Sequence, residues 1–128
     1  MNFLKKYIST KKQDNYLYLK IHVQQFNLFE KNIIASRVER AVEKNNYPDV
    51  IFDLSELVHL DSIGIGFLIS TKNIFTENNR EMLLVITSKK ILEMFNSLKV
   101  KKFFKVFGSI EEAEAWLASS KEENQPVK

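Results

Sequence analysis

The run Val50-Ile51-Phe52-Asp53-Leu54, followed after a short connector by Asp61-Ser62-Ile63-Gly64-Ile65-Gly66, decides how this chain is read. The first segment is brief and unbroken in its hydrophobicity, which suits a central strand covered on both faces. The second opens an apolar helix that continues as Phe67-Leu68-Ile69. Strand, connector and helix together set a serine at a helix N-terminus, where unpaired backbone N–H groups and the macrodipole favour an anion. A hydroxyl in that position can take a phosphate that the fold tolerates and a binding partner does not.

Working outward, the elements alternate. Phe3 to Thr10 reads as a first strand, and Gln13-Asp14-Asn15 supplies turn chemistry. Tyr16 to Gln24 alternates, with Leu17, Leu19, Ile21 and Val23 on one face and Tyr16, Tyr18, Lys20 and His22 on the other. The two strands form an antiparallel hairpin packed on one side. Phe29 to Asn45 carries Ile33, Ile34, Val38, Ala41 and Val42 at helical spacing, and Pro48 marks its end. The helix that begins near Ser62 runs to Asn78, and Met82-Leu83-Leu84-Val85-Ile86 is a second buried strand. Ser88 caps a helix through Leu98 whose apolar side includes Ile91, Leu92, Phe95 and Leu98. Phe103 to Phe107 is a last strand. Ser109-Ile110-Glu111-Glu112 is a capping-box pattern for a final helix through Ala118, docked by Trp116 and Leu117. This order predicts an α/β domain: a mixed sheet of four to five strands with an N-terminal hairpin, covered by about four helices. Residues 1–118 read as one domain and 119–128 as a polar, flexible tail.

Composition removes several classes of function. The chain has 128 residues, 45% of them hydrophobic, which is ordinary for one globular domain. There is no cysteine, so disulfides, thiolate metal sites and cysteine nucleophiles drop out. No apolar run approaches a membrane span, and the N-terminus lacks the apolar stretch of a secretion signal, so a cytoplasmic protein without membrane insertion is expected. The formal charge is +3. Lys99, Lys101, Lys102 and Lys105 cluster beside Phe103, Phe104 and Phe107, a composition that also occurs in nucleic-acid sites. Without arginine enrichment the reading preferred here is a solvated strand edge with the phenylalanines packed inward and no direct nucleic-acid contact.

Catalytic patterns fare no better. His59, Asp61 and Ser62 contain the atoms of a hydrolase triad, but they lie too close along one connector to converge as one. No Gly-x-Ser-x-Gly elbow is present, and the three glycines, Gly64, Gly66 and Gly108, cannot build a P-loop or complete a dinucleotide fingerprint. His22 and His59 have no paired metal-ligand spacing. No enzyme activity, metal or cofactor is expected of this chain.

Asp61-Ser62-x-Gly64-Ile65 after a strand resembles the signature of the STAS domain, the family of sulphate transporters and anti-sigma factor antagonists. The likeness extends over residues 10–118 and includes Asp53-Leu54-Ser55 at the end of the central strand and Ser109-Ile110-x-x-Ala113 at the start of the last helix. It implies the STAS fold. It also implies that Ser62 is the phosphorylated residue and that Asp61, Ser62, Ile63, Gly64 and Ile65 face a partner. The implied function is that of an anti-sigma factor antagonist in a partner-switching pathway. Unphosphorylated, the domain binds an anti-sigma factor that is also a serine kinase; phosphorylated, it releases that partner, and a serine phosphatase resets it. ATP and magnesium belong to the kinase. The domain itself is expected as a monomer or weak dimer. The alternative is a STAS module that binds a protein or small ligand within a lipid-transport or stress-sensing assembly without phosphorylation.

Each residue also has a purely structural reading. Ser62 serves equally as an N-cap, with Asp61 assisting, and Gly64 and Gly66 permit close helix–sheet packing. Asp53 and Ser55 satisfy backbone groups at the strand end. The chain departs from the family pattern at Ile63, which is either a partner anchor or core, and in lacking glycine in Gln24-Gln25-Phe26-Asn27-Leu28 and at Asn79-Arg80. In the switching reading, two unit charges about 5 Å apart at an effective dielectric near 20 repel by ~3 kcal/mol, enough for a ~100-fold loss of affinity.

Overall fold

Strands with no polar face belong in the middle of a sheet. In the computed structural model, which describes residues 7–123, that is where the two apolar runs sit. The elements are β1 (Ile8–Lys12), β2 (Leu17–Ile21), α1 (Leu28–Lys44), β3 (Val50–Asp53), α2 (Ser62–Glu77), β4 (Met82–Val85), α3 (Lys89–Ser97), β5 (Lys105–Phe107) and α4 (Ile110–Glu123). The sheet order is β1-β2-β3-β4-β5. β1 pairs antiparallel to β2, with Ile8 opposite Ile21. The other pairs are parallel, with Leu17 beside Val50, Val50 beside Met82 and Leu83 beside Lys105.

Alternate residues of β3 and β4 feed two cores. Val50, Phe52, Met82 and Leu84 face the larger one, with Ile34, Val38 and Val42 of α1, Phe67, Leu68 and Phe75 of α2, and Ile91 and Phe95 of α3. Ile51, Leu83 and Val85 face the smaller one, against Ala113 and Leu117 of α4. Three helices thus cover one face and α4 the other. The crossover rule gives this layout a second consequence: α1 and α2 both begin where their preceding parallel strands end, so their N-termini share one end of the molecule.

Several expectations are corrected. The first strand falls partly outside the described residues; within them it runs from Ile8 to Lys12, past Thr10. β2 is shorter than Tyr16–Gln24, and its second face is not left to water. Tyr16 is buried in the smaller core and donates from its hydroxyl to Glu114 Oε2 at 2.6 Å, with Tyr18 packed alongside. The last strand starts at Lys105 because Lys101–Phe103 forms a 3-10 turn. Phe103 and Leu98 point outward, whereas Phe104 is buried. α4 continues past Ala118 to Glu123, carried by good helix formers without an apolar stripe; residues 124–128 of the expected tail lie outside the described residues. Ser109 does cap α4, accepting from Glu112 N at 3.2 Å, but the Glu112 carboxylate reaches back to Gly108 N at 3.0 Å, not to the capping residue's own N–H.

The absence of glycine at Asn79-Arg80 is also explained. α1 and α2 each end with a left-handed residue, Asn46 (φ 60°) and Asn79 (φ 59°), followed by N–H bonds from Tyr47 to Val42 O and from Arg80 to Phe75 O, both 2.8 Å. Asparagine is the residue after glycine that best tolerates this cap.

Candidate functional site

The connector between β3 and α2 is pinned at both ends. At its start Asp53, buried at the end of β3, takes the Ser55 N–H on Oδ1 at 2.9 Å and the Tyr18 hydroxyl on Oδ2 at 2.5 Å. Burial raises the pKa of this carboxyl, but the bonds from Tyr18 and Ser55 outweigh that and hold it below the ordinary 3.8. The same contact, after burial itself, pushes the Tyr18 phenol well above its ordinary 10.0. Further along, the N–H groups of Val58 and His59 both donate to Gln24 O, at 2.9 and 3.0 Å, zipping the connector to the loop after β2. A relay from Ser9 Oγ to His22 Nε2 (2.8 Å), and from His22 Nδ1 to Glu56 Oε2 (2.9 Å), ties β1 to the same connector, with Lys20 sharing the Glu56 carboxylate at 3.4 Å. Glu56 is held below its ordinary pKa chiefly by the His22 bond.

At its far end the connector delivers Asp61. Its backbone is extended (φ −122°, ψ −170°) and its Oδ1 accepts the N–H groups of Ile63 at 3.0 Å and Gly64 at 3.2 Å. Asp61, not Ser62, is therefore the N-cap. Ser62 is the first residue of the helix, exposed, and its hydroxyl makes no hydrogen bond within the described residues. Aspartate wins because its charge adds the dipole attraction to the two bonds.

The next residues are anchors. Ile63 is half-buried and packs on the larger core with part of its surface left outside, and Ile65 does the same two residues on. Gly64 is buried where a Cβ would stand 2.5 Å from Leu60 Cδ1 and 2.9 Å from Phe26 Cδ2. Its lack of a side chain lets the helix start press onto the loop after β2, where Phe26 and Phe67 rings meet at 5.1 Å. Gly66 has no such role, since a Cβ there would meet nothing within 4 Å. Of the five residues expected at a partner surface, then, Asp61 and Ser62 are exposed, Ile63 and Ile65 are half-buried, and Gly64 is buried.

The exposed part of this end also includes residues not expected at a partner surface. Leu28 and Phe29 open α1 beside its Asn27 cap, Val58 and His59 lie on the connector, and Gly66 and Ile69 continue the α2 surface. Phe29 is 73% exposed, a large apolar side chain left in water at the same end as Ser62. Two apolar residues directly after an N-cap were a legible signal, because first-turn residues that face outward seldom need to be apolar. Among the described residues no group of three or more His, Cys, Asp or Glu is arranged to hold a metal ion, and no helix is long and apolar enough to cross a membrane.

Residues 7–113 match the sequence model of the STAS domain. The chain belongs to the STAS domain family. No curated protein matches it in sequence. Its STAS fold is similar to solved structures at low identity. One is a candidate anti-sigma factor antagonist of Thermotoga maritima (TM-score 0.74, 16% identity, 84% of this chain and 92% of that one). Another is an anti-sigma factor antagonist of Mycobacterium paratuberculosis (TM-score 0.72, 14% identity, 84% and 90%). A third is the anti-sigma factor antagonist SpoIIAA in its unphosphorylated form (TM-score 0.63, 13% identity, 88% and 97%). At these identities the likeness establishes the fold of this STAS domain.

Proposed function

We propose that this STAS domain is an anti-sigma factor antagonist that binds an anti-sigma factor with serine kinase activity through the Asp61–Ser62 end and is released when Ser62 is phosphorylated. The observation that carries the reading is the division of labour between Asp61 and Ser62: the carboxylate caps the helix, and the exposed serine hydroxyl is left with no structural bond. A kinase can then modify Ser62 without removing a cap. The structural neighbours with antagonist roles support the same reading. A serine phosphatase returns the domain to its binding form.

The geometry also supplies the asymmetry such a switch needs. The N–H groups of Ile63 and Gly64 are already taken by Asp61, so a phosphate on Ser62 adds about −1.5 to −2 charges beside a carboxylate without gaining those donors. In the free domain both groups face water, where two unit charges about 5 Å apart repel by only ~0.8 kcal/mol. Under a close-fitting partner, at an effective dielectric near 20, the same pair repels by ~3 kcal/mol. The difference, ~2.5 kcal/mol per unit charge, is about a 70-fold loss of affinity. Folding is spared because the two charges are solvated; binding is not because the partner removes the solvent.

The test is binding to the purified kinase partner with ATP and magnesium present. Ser62→Ala retains the partner throughout, wild type loses it as phosphate accumulates, and Ser62→Asp binds more weakly from the start. Equal retention by all three proteins would sink the proposal.

A further inference from the structure

The turn joining α3 to β5 reads Leu98-Lys99-Val100-Lys101-Lys102-Phe103-Phe104-Lys105. Two of its side chains point in: Phe104 is buried against Phe95, with ring centroids 5.8 Å apart, and Val100 packs on the larger core. The others point out. Leu98 is 51% and Phe103 54% exposed, and Lys99, Lys101 and Lys102 surround them in solvent. Lys102 Nζ stands 5.5 Å from the centre of the Phe103 ring. Lys105 is committed elsewhere, paired with Glu81 at 2.7 Å and set over Trp116 at 4.8 Å. Lys99, Lys101 and Lys102 make no ion pair with any carboxylate among the described residues. The patch is therefore positive, uncompensated and tipped with two apolar side chains.

The backbone gives an independent sign. α3 ends in the same motif as α1 and α2, with the Val100 N–H on Phe95 O at 3.3 Å and the Lys99 N–H on Asn96 O at 3.2 Å. Its left-handed residue, however, is Lys99 at φ 56°. Glycine suits that position best and asparagine next; a lysine is strained there. A third exposed lysine therefore occupies the turn that carries Lys101 and Lys102, at a position where glycine would cost less. The location matters as well. The turn precedes β5, whereas Ser62 follows β3, and the two strands run parallel within one sheet. The patch and the candidate switch consequently lie at opposite ends of the domain.

We propose that this turn docks the domain on an anionic phospholipid surface, with Lys99, Lys101 and Lys102 on the headgroups and Leu98 and Phe103 in the interfacial layer, leaving the Ser62 end facing away. The domain lies on the surface and does not span it. Lipid fits better than nucleic acid because Leu98 has no ring to stack on a base, whereas Leu98 and Phe103 alike have a use in the interfacial layer. An acidic protein would account for the lysines but not for two separate apolar tips projecting from one turn.

Co-sedimentation of the full chain with phosphatidylcholine vesicles, with and without about one-third phosphatidylserine, tests the idea. The chain binds the anionic vesicles only, and binding weakens as salt shortens the screening length. Lys101→Gln with Lys102→Gln lowers the affinity about five-fold per lysine, hence about twenty-five-fold together. Phe103→Ser and Leu98→Ser each weaken binding as well, while an unchanged urea midpoint shows the fold intact. Absence of binding to the anionic vesicles overturns the proposal. So does binding that these variants leave unaltered, or tighter binding to a single-stranded RNA that is indifferent to Phe103→Ser and Leu98→Ser.

Discussion

The same substitution at two glycines of α2 should change stability in opposite directions. Replacing glycine by alanine in a helix interior is favourable by about 1 kcal/mol, because the unfolded chain loses freedom and the helix gains a good former. At Gly66 nothing opposes that gain, since the new Cβ meets no atom within 4 Å. Gly66→Ala is therefore predicted to stabilise the domain by ~0.5–1 kcal/mol. At Gly64 the Cβ arrives 2.5 Å from Leu60 Cδ1 and 2.9 Å from Phe26 Cδ2. Both neighbours are buried, and Phe26 is already held against Phe67, so neither yields freely. Overpacking of this kind costs about 1–3 kcal/mol, which exceeds the propensity gain and leaves Gly64→Ala destabilised by ~0.5–2 kcal/mol. Urea denaturation reads both, since a gap of about 1–3 kcal/mol sets the midpoints roughly 0.3–3 M apart for typical slopes. Midpoints that shift together, or a Gly64→Ala variant more stable than wild type, would refute the packing described for the start of α2.

Other outcomes follow from the same structure. Asp61→Ala removes the side-chain N-cap of α2 and lowers stability by about 0.5–2 kcal/mol in the same urea assay, whereas Ser62→Ala changes it by less than about 0.5 kcal/mol. Tyr18→Phe breaks the bond to the buried Asp53 carboxylate and costs about 1–2 kcal/mol near neutral pH. The folded-state pKa values of Tyr16 and Tyr18 are raised above the ordinary 10.0, so their contribution is complete below pH 10 and fades as pH climbs above it. Urea midpoints measured across that alkaline range should fall, and less steeply in Tyr18→Phe. Asp53 behaves in the opposite sense: its depressed pKa contributes stability above the ordinary 3.8 that is lost as pH drops further, a loss that Asp53→Asn should blunt in acid titrations. Lys99→Gly relieves the left-handed strain and should raise stability by ~0.5–1 kcal/mol, while Lys99→Gln should not.

What the sequence made legible was governed by local chemistry. Val50 to Asp53 and Met82 to Val85 announce buried strands because every residue but one is apolar, and Ser88 and Ser109 announce caps because their hydroxyls have few better uses. The start of α2 was readable to within one residue. Choosing between Asp61 and Ser62 as the cap depends on backbone dihedrals that neither side chain reveals. The burial of Tyr16 and the half-burial of Tyr18 were hidden for another reason: polar hydroxyls on an alternating strand imitate a solvent face, and contacts with the distant Glu114 and Asp53 take them up. Leu98 was read as core because its spacing fits the apolar stripe of a helix that in fact ends at Ser97, and Phe103 because it was placed in the last strand, where a 3-10 turn stands instead and leaves it exposed. At the candidate site, Phe29 and Leu28 went unnoticed because the loop that brings them beside the connector is held by Gln24 O and Phe26, contacts between distant segments.

The central claim, that Ser62 is a reversible switch, is tested most directly by intact-mass and phosphosite analysis of the protein recovered from its own cells, wild type beside Ser62→Ala. The account predicts a ~80 Da addition that maps to Ser62, varies with growth and stress, and is missing from the variant. A wild-type protein carrying no phosphate under growth, starvation and stress, or one modified at another residue with Ser62 untouched, would contradict it.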